Sequence, residues 1–459
     1  MPNKFWKGQW DVVAIASMVL LAFSFAFGGA SRDHALRLAL VELAALPLLV
    51  VAAGRLIRTG DWREHRFALG ILAATAAIPL IQLLPVPPAL WTGLPGRDQM
   101  VLALELAGLA PGWVPLSLAP DRTWDSALAL LPPVAIFLAT LTLAREGRVR
   151  LVGLCLAAAL IGILLGAAQL ASGGEQLYPW ETTSAGSVTG FFANRNHLAG
   201  FLVATLPFAA VWGGACLRRR NDRGVALWAA ALFVGVVVIA LAAIRSRAGV
   251  TLFVPVLLFS LLAAWVASGR GRPAPALLLL VGAAAAALTV VSVMALPPVL
   301  ARFETNAQPE VRFERWPLVA ETAQTYLPIG SGIGSFDAVY RSVEPLDQLD
   351  GTFFNQAHNE YLETWLEAGW PGLALILAFL VWYGRRLSSA WKAEPSRERD
   401  LQRAASIAIG VFLLHSAGDY PLRTETLAVV FALCCGLLEL ARRSDQPARD
   451  AAVEPTARR

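Results

Sequence analysis

A histidine near residue 360 is the side chain of this sequence best placed for proton transfer. His358 lies within residues 357–363, which run Ala-His-Asn-Glu-Tyr-Leu-Glu and close the longest polar stretch of an otherwise apolar chain. Imidazole has the ordinary pKa that best suits a general base near neutral pH. Leu362 continues an apolar helix face one turn later, so His358 could instead be a structural histidine. The other face of this predicted helix is acidic and carries Glu360, Glu363 and Glu367.

Three arginines could form an anion site. Arg195 belongs to residues 191–197, Phe-Phe-Ala-Asn-Arg-Asn-His, and Arg245 and Arg247 form a corner between two apolar runs. The short corner holds both charges at the membrane surface, on the side where the positive-inside rule does not place them. Such charges either bind an anionic partner or reach lipid phosphates or an acidic loop residue. The planar guanidinium binds phosphate oxygens through paired hydrogen bonds, so the cluster suits a pyrophosphate.

Further polar side chains complete the predicted site. The catalytic candidates are His358, Arg247 and Arg195, and His197 is the alternative base because it lies within one helical turn of Arg195. We predict substrate contacts for side chains beside these residues or in the long polar stretch, namely Arg245, Asn194, Asn196, His197, Asn359, Tyr361, Arg315 and Arg341.

Three other motifs have simpler interpretations. Residues 330–336, Gly-Ser-Gly-Ile-Gly-Ser-Phe, lack the Lys-Ser/Thr ending of a phosphate loop, so we expect glycine turns. Glu344, Asp347 and Asp350 are expected to form a solvated acidic loop, and neither a metal site nor a cofactor is predicted. A further polar group lies at the external end of a predicted span. Its side chains either line the same cavity or neutralise one another's charges, and they are His415, Asp419, Arg423 and Glu425.

The elements that must position these side chains are membrane helices. Hydrophobic residues make up 56% of the 459 residues, and the mean hydropathy is +0.57, more than a soluble chain of this length could bury. The apolar runs approach the ~20 residues that a helix needs to cross the bilayer, whereas strands of a membrane barrel alternate over about ten. We therefore predict an all-α polytopic integral membrane protein with about twelve spans, at residues 10–29, 36–57, 67–85, 124–144, 151–171, 198–217, 225–244, 248–267, 275–296, 371–387, 404–419 and 426–441.

The positive charges give a predicted orientation. Most of the 38 lysines and arginines fall in alternate loops, which places those loops and both termini in the cytoplasm. The net charge of +5 is spread over separate short loops, so nucleic acid is not an expected partner, whereas membrane lipids are. The positive groups are Lys4 with Lys7, and residues 55–66, 145–150, 218–223, 270–272 and 385–403.

The chain divides into four predicted segments. Residues 1–296 hold nine transmembrane helices with short loops, and residues 297–370 form one long periplasmic loop that carries His358. Residues 371–441 hold the last three helices, and residues 442–459 form a charged cytoplasmic tail that is expected to be disordered.

Five stretches together resemble the O-antigen ligase and O-antigen polymerase superfamily of bacterial envelope glycosyltransferases. The resemblance begins near residue 80, and its most specific parts are Asn-Arg-Asn-His at 194–197 and His-Asn-Glu-Tyr-Leu-Glu at 358–363. Both runs occur in the order and on the membrane face that the superfamily shows. The matching stretches are 191–200, 245–249, 330–341, 357–372 and 415–422.

The resemblance implies a GT-C-like fold and an inverting, metal-independent glycosyl transfer at the periplasmic face of the bacterial inner membrane. The implied donor is a glycan on undecaprenyl pyrophosphate, and the implied acceptor is a hydroxyl of a glycan or of a lipid A-core. The functional residues of the superfamily match Arg195, Arg247 and His358. Ala248 separates Arg247 from Gly249, so either Arg245 or Arg247 could be the main pyrophosphate ligand. Ligase, polymerase and protein-glycosylating activities all stay open.

The chemistry of the residues agrees with that activity. Fixed arginines would stabilise the charge that develops on a pyrophosphate leaving group, and His358 would orient or deprotonate the acceptor hydroxyl. The alternative is a lipid-linked glycan transporter or flippase, which predicts charged or broken helices near the midplane and two related halves. Glu42 is the main ionisable residue within the predicted spans. A receptor or scaffold would leave the arginines without a ligand.

Overall fold

The apolar runs of the sequence form long helices. The structure, a computed structural model, describes residues 11–30, 35–173, 177–180, 186–217, 223–269, 311–349 and 354–440. Its helices are α1 Val12–Phe27, α2 Ala35–Thr59, α3 Arg66–Gln82, α4 Pro88–Trp91, α5 Asp98–Leu106, α6 Pro120–Leu128, α7 Leu131–Thr142, α8 Arg145–Ala171, α9 Arg195–Leu217, α10 Arg223–Ile244, α11 Arg247–Ser268, α12 Val311–Thr325, α13 Phe336–Val343, α14 Glu360–Lys392, α15 Arg397–His415 and α16 Glu425–Glu439.

Seven helical segments of the described chain are long and apolar enough to cross a membrane, namely α2, α6 with α7, α8, α9, α10, α11 and α14. The chain is therefore a mostly helical, multi-pass membrane protein. Within the described residues the predicted number of about twelve spans is not reached. The predicted span at 275–296, Asp350 and the tail at 442–459 lie outside the described residues.

Length and charge explain the difference in span number. The helices α1, α3 and α16 have 16, 17 and 15 residues, and at 1.5 Å per residue each is shorter than the ~30 Å hydrocarbon core. The helix α15 has 19 residues, but its first turns carry Arg397, Glu398, Arg399, Asp400 and Arg403. These four helices nevertheless coincide with predicted spans.

The one sheet that the described residues contain is very short. The strands β1, Pro85–Val86, and β2, Val114–Pro115, pair antiparallel, with Pro85 opposite Pro115 and Val86 opposite Val114. This pairing closes the loop between α3 and α6 at its base, and it is the only departure from the predicted all-α class within the described ranges.

The core of the bundle surrounds α9. Of the seven membrane-crossing segments, α9 is the most enclosed, because 83% of its apolar stretch of 18 residues is buried. It packs against α10, α11 and α15, while α7 lies between α2 and α16. A Cβ atom on Gly214 of α9 would lie 2.2 Å from the carbonyl oxygen of Ala264 on α11, so glycine is what lets these two helices approach.

The glycine-rich residues 330–334 form a turn, as the sequence predicts. Gly330, Gly332 and Gly334 all have positive φ, which costs little only for glycine. The amide of Ile333 donates to Oε1 of Gln82 at the end of α3, at 2.8 Å. The amide of Gly332 donates to the carbonyl of Glu367 at 2.9 Å. The turn therefore joins the long loop to two helices.

The predicted boundary at residue 370 lies inside a helix. α14 runs from Glu360 to Lys392 and is kinked at Gly369, whose φ is +55°. A Cβ atom at Gly369 would lie 2.2 Å from the carbonyl oxygen of Pro328, so the kink accommodates the long loop. The end of that loop and the next membrane-crossing segment thus form one continuous element.

Candidate active site

His358 occupies a turn immediately before α14. The side chain of Asn359 caps this helix and accepts hydrogen bonds from the amides of Tyr361 and Leu362, both at 3.1 Å. His358 has a φ of +51°, a region that non-glycine residues seldom occupy. Such strain is often found at functional sites, where the surrounding structure enforces it. The imidazole lies against the rings of Phe354 and Tyr420, with centroids 5.8 and 4.8 Å away.

Asp419 is the polar partner of His358. Nδ1 of His358 lies 3.3 Å from Oδ1 of Asp419, and the two side chains are 24% and 1% exposed. An ionised carboxylate only accepts hydrogen bonds, so it fixes the proton of a neutral imidazole on Nδ1 and leaves the lone pair on Nε2. That lone pair can take a proton from a substrate.

Asp419 is held in its ionised form by its surroundings. Burial by itself would raise its pKa, but the hydrogen bond from His358 and the electrostatic attraction of the surrounding imidazoles of His197, His415 and His358 outweigh burial and hold the pKa below its ordinary value. The carboxylate also accepts from Nδ2 of Asn196 at 2.8 Å and from the amide of Tyr420 at 3.0 Å.

A chain of hydrogen bonds connects Asp419 to the arginine corner. Oδ1 of Asn196 accepts from the hydroxyl of Ser246 at 2.8 Å, and that hydroxyl accepts from the amide of Gly249 at 3.1 Å. Ser246 is the N-cap of α11 and lies between Arg245 and Arg247. The chain therefore fixes the start of α9, the corner and His358 relative to one another.

The three arginines of the predicted anion site all lie beside this chain. Arg195 precedes Asn196 and is partly buried, with Nη1 3.5 Å from the hydroxyl of Ser187 among its contacts. Arg247 is partly buried and Arg245 is exposed with a φ of +53°. The side chain of Asn194 accepts a hydrogen bond from the amide of Asn196 at 2.8 Å and so fixes the backbone on both sides of Arg195.

His197 and His415 are buried behind Asp419. His197 is 0% exposed, and its Nδ1 lies 2.9 Å from the hydroxyl of Thr424. The ring of His415 lies 6.4 Å from the ring of His197, and its Nε2 is 3.9 Å from Oδ2 of Asp419. His197 therefore has no surface for a glycan to reach, whereas His358 has one.

The other predicted substrate residues have different surroundings. Nη1 of Arg315 pairs with Glu344 at 3.0 Å, and its guanidinium lies 5.1 Å from the ring centre of Phe354, inside the core of the long loop. Arg341 is exposed and pairs with Asp337 at 2.7 Å. The hydroxyl of Tyr361 donates to the carbonyl of Leu413 at 2.6 Å.

The acidic face of the helix after His358 is buried around Arg423. Glu363 and Glu367 are 0% exposed, and their carboxylates lie 3.4 and 2.6 Å from Nη2 of Arg423. Burial would lower the pKa of Arg423, but these carboxylates raise it above its ordinary value. Glu360 accepts from the amides of Leu422 and Arg423. These contacts hold the segment that carries Asp419 against the segment that carries His358.

Several residues of the site were not among the predicted site residues. Asp419 was predicted only as a member of a polar group at the end of a span, and Ser246 was not predicted at all. Nη1 of Arg312 donates to the carbonyl of Gly418 at 2.7 Å, so α12 also supports the turn before Asp419. The described residues contain no group of three or more His, Cys, Asp or Glu that could hold a metal ion.

Comparison with known proteins supports the resemblance that the motifs indicated. Residues 229–377 match a family model described as O-antigen ligase. The matched range contains the arginine corner and His358, and it ends before Asp419 and begins after Arg195. No curated protein matches the chain.

Proposed function

We propose that the chain transfers a glycan from undecaprenyl pyrophosphate to an acceptor hydroxyl at the periplasmic face of the bacterial inner membrane. The match of residues 229–377 to the O-antigen ligase model supports this proposal. The family supports glycan transfer of the ligase or polymerase type. The single observation that carries the detailed proposal is the hydrogen-bonded chain from His358 through Asp419 and Asn196 to Ser246. It brings a base and an arginine corner into one fixed arrangement.

The arginines bind the pyrophosphate of the donor in this proposal. Arg195 and Arg247 act with Arg245, and their guanidinium groups offset the negative charge that grows on the leaving pyrophosphate as the anomeric C–O bond breaks. Because the residues next to these arginines are hydrogen-bonded to each other, the backbone that carries the charges is already in place before the reaction. Fixed charges stabilise a transition state better than charges that must first reorganise.

His358 is the general base in this proposal. Nε2 of His358 takes the proton of the acceptor hydroxyl while that oxygen attacks the anomeric carbon from the side opposite the pyrophosphate. The product is inverted, and the proton rests on an imidazolium next to the carboxylate of Asp419. No metal or cofactor takes part in the proposed reaction. Asp419 is a positioning residue, since it holds the proton on Nδ1 and stabilises the imidazolium.

The test is transfer by the purified protein in lipid. A defined glycan on undecaprenyl pyrophosphate and an acceptor glycolipid should give a covalent product, and His358→Ala should remove that product. Movement of the donor across the membrane without a covalent product would instead support the transporter alternative. Gel analysis of envelope glycans after deletion of the chain distinguishes the acceptors. Single attached repeats would indicate a polymerase, and complete loss of attached glycan would indicate a ligase.

A further inference from the structure

An apolar hairpin of residues 85–115 lies between α3 and α6. The pairing of β1 with β2 closes it, and Nε1 of Trp91 donates to the carbonyl of Gly112 at 2.9 Å inside it. The buried guanidinium of Arg97 donates to the carbonyl of Leu116. These contacts make the hairpin one ordered unit with a defined outer surface.

The outer surface of the apolar hairpin is hydrophobic and exposed. Leu106 on α5 is 81% exposed, and Leu109 and Trp113 beyond it are 59% and 68% exposed. Glu105 is the only charged residue between Gln99 and Pro120. Water-exposed apolar surface of this extent is unusual in proteins and marks a place where another apolar phase or partner binds.

We infer that the apolar hairpin lies on the lipid leaflet at the membrane surface, with Leu106, Leu109 and Trp113 in contact with lipid. Both of its ends lead into membrane-crossing or apolar helices at the same face. Leu84, 57% exposed, continues the outer surface of α3 into the hairpin, and Trp124 is 52% exposed in the first turns of α6. Tryptophan favours the level of the lipid headgroups, which is where these two helices meet the hairpin.

The hairpin binds lipid through apolar contact rather than through charge. Arg97 is the only arginine of residues 85–115, which contain no lysine, and it is 3% exposed. Interfacial segments that depend on anionic lipid carry clusters of exposed lysine or arginine, which this hairpin lacks. Its position on the bilayer is therefore independent of anionic lipid.

The contact of the apolar hairpin with lipid also fixes the distance of the long loop from the membrane surface. The guanidinium of Arg97 lies 5.9 Å from the ring centre of Tyr326, which precedes the glycine turn. The amide of Leu118 donates to the carbonyl of Ser331 at 2.8 Å, and a Cβ atom on Gly332 would lie 2.1 Å from the hydroxyl of Ser117. The leaflet thus supports the turn that is hydrogen-bonded to Leu366 and Glu367 of α14. This inference does not depend on the proposed reaction.

Spin labelling tests the inference. Leu106→Cys is labelled with a nitroxide in phosphatidylethanolamine nanodiscs, and Leu346→Cys, on the long loop at 85% exposure, is the matched control. Of the native cysteines, Cys155, Cys434 and Cys435 are buried and Cys216 is partly buried, so the unsubstituted chain gives the labelling background. We expect the label at position 106 to collide mainly with oxygen, which concentrates in lipid, and the label at position 346 to collide mainly with a water-soluble nickel chelate.

Three results would overturn the inference. The first is a label at position 106 that collides mainly with the nickel chelate. The second is a label there that is shielded from both reagents, which would show that protein covers the hairpin. The third is a label at position 106 that enters the lipid only when phosphatidylglycerol is added. If Leu106→Cys does not fold, Leu109→Cys carries the same expectations. None of these outcomes affects the glycan-transfer assay.

Discussion

Nδ1 of His358 lies 3.3 Å from Oδ1 of Asp419, although 61 residues separate the two in the chain. His358 precedes α14 and Asp419 follows α15. The start of α14 and the end of α15 therefore lie next to each other at the site. The hydrogen bond from Asn196 adds α9 to this meeting point. The imidazole therefore has a fixed orientation that its own loop would not give it.

Asp419→Asn should lower glycan transfer by at least about 100-fold, because an amide also donates and no longer fixes the proton on Nδ1. The size of the side chain is kept, but one of its two accepting oxygens becomes a donor, so the unfolding temperature should fall modestly and the variant should be assayed below it. The measurement is the transfer rate with a defined donor across a range of pH. Asp337→Asn, an exposed aspartate paired with Arg341, is the control and should behave like the unchanged protein. Equal rates for both variants would remove Asp419 from the mechanism.

Arg247→Lys should weaken donor binding by about tenfold or more although the charge is kept, since an ammonium cannot make the paired contacts of a guanidinium. Arg195→Ala should have a similar effect. Binding of undecaprenyl pyrophosphate to the purified protein measures both. Arg58→Lys, in the last turn of α2, is the matched control. If neither variant binds the donor less tightly than this control, the anion-site hypothesis is wrong.

His358→Ala should lower transfer by about 10²–10⁴ while the protein remains folded, because the side chain is partly exposed and lies in a turn. His197→Ala should lower the unfolding temperature, since His197 is fully buried and bonded to Thr424. EDTA should leave the activity of the unchanged protein intact. Full transfer by His358→Ala and loss of transfer in a well-folded His197→Ala would reassign the base. Loss of activity with EDTA would point to a cation.

Arg423→Met should destabilise the protein by roughly 3 kcal/mol, because it leaves the buried carboxylates of Glu363 and Glu367 without their positive partner. Thermal unfolding in detergent measures the change. Arg341→Met breaks an exposed pair with Asp337 and should cost less than about 1 kcal/mol. If the two substitutions lowered the free energy of unfolding by similar amounts, the buried ion pairs would stabilise the protein no more than the exposed pair does.

A reporter fused after Arg403 should lie in the cytoplasm, and one inserted near Leu346 should lie in the periplasm. The expectation comes from the distribution of positive charge among the loops and from the proposed orientation of the site. Protection of the two positions from a membrane-impermeant reagent provides an independent measurement. A cytoplasmic position for Leu346 would contradict both the orientation and the proposed function.

The sequence by itself determined the helices and the nature of the glycine turn. Helix formation in a membrane depends on the length and apolarity of the local sequence. The predicted spans that lie within the described residues therefore coincide with helices. Gly330, Gly332 and Gly334 form turns because their missing side chains allow positive φ wherever they occur. The match of residues 229–377 to the O-antigen ligase model agrees with the resemblance drawn from short motifs.

Only the tertiary structure decided which polar groups meet. Asp419 and Ser246 come from distant parts of the chain, and no local pattern in either segment indicates that Asn196 joins them. The glutamates after His358 alternate with apolar residues at helical spacing, which defines two faces but not which face is covered. The acidic face is covered because Arg423, in the segment after α15, pairs with Glu363 and Glu367. Contacts between remote segments depend on how whole helices pack, and that packing is a property of the entire chain rather than of any one segment.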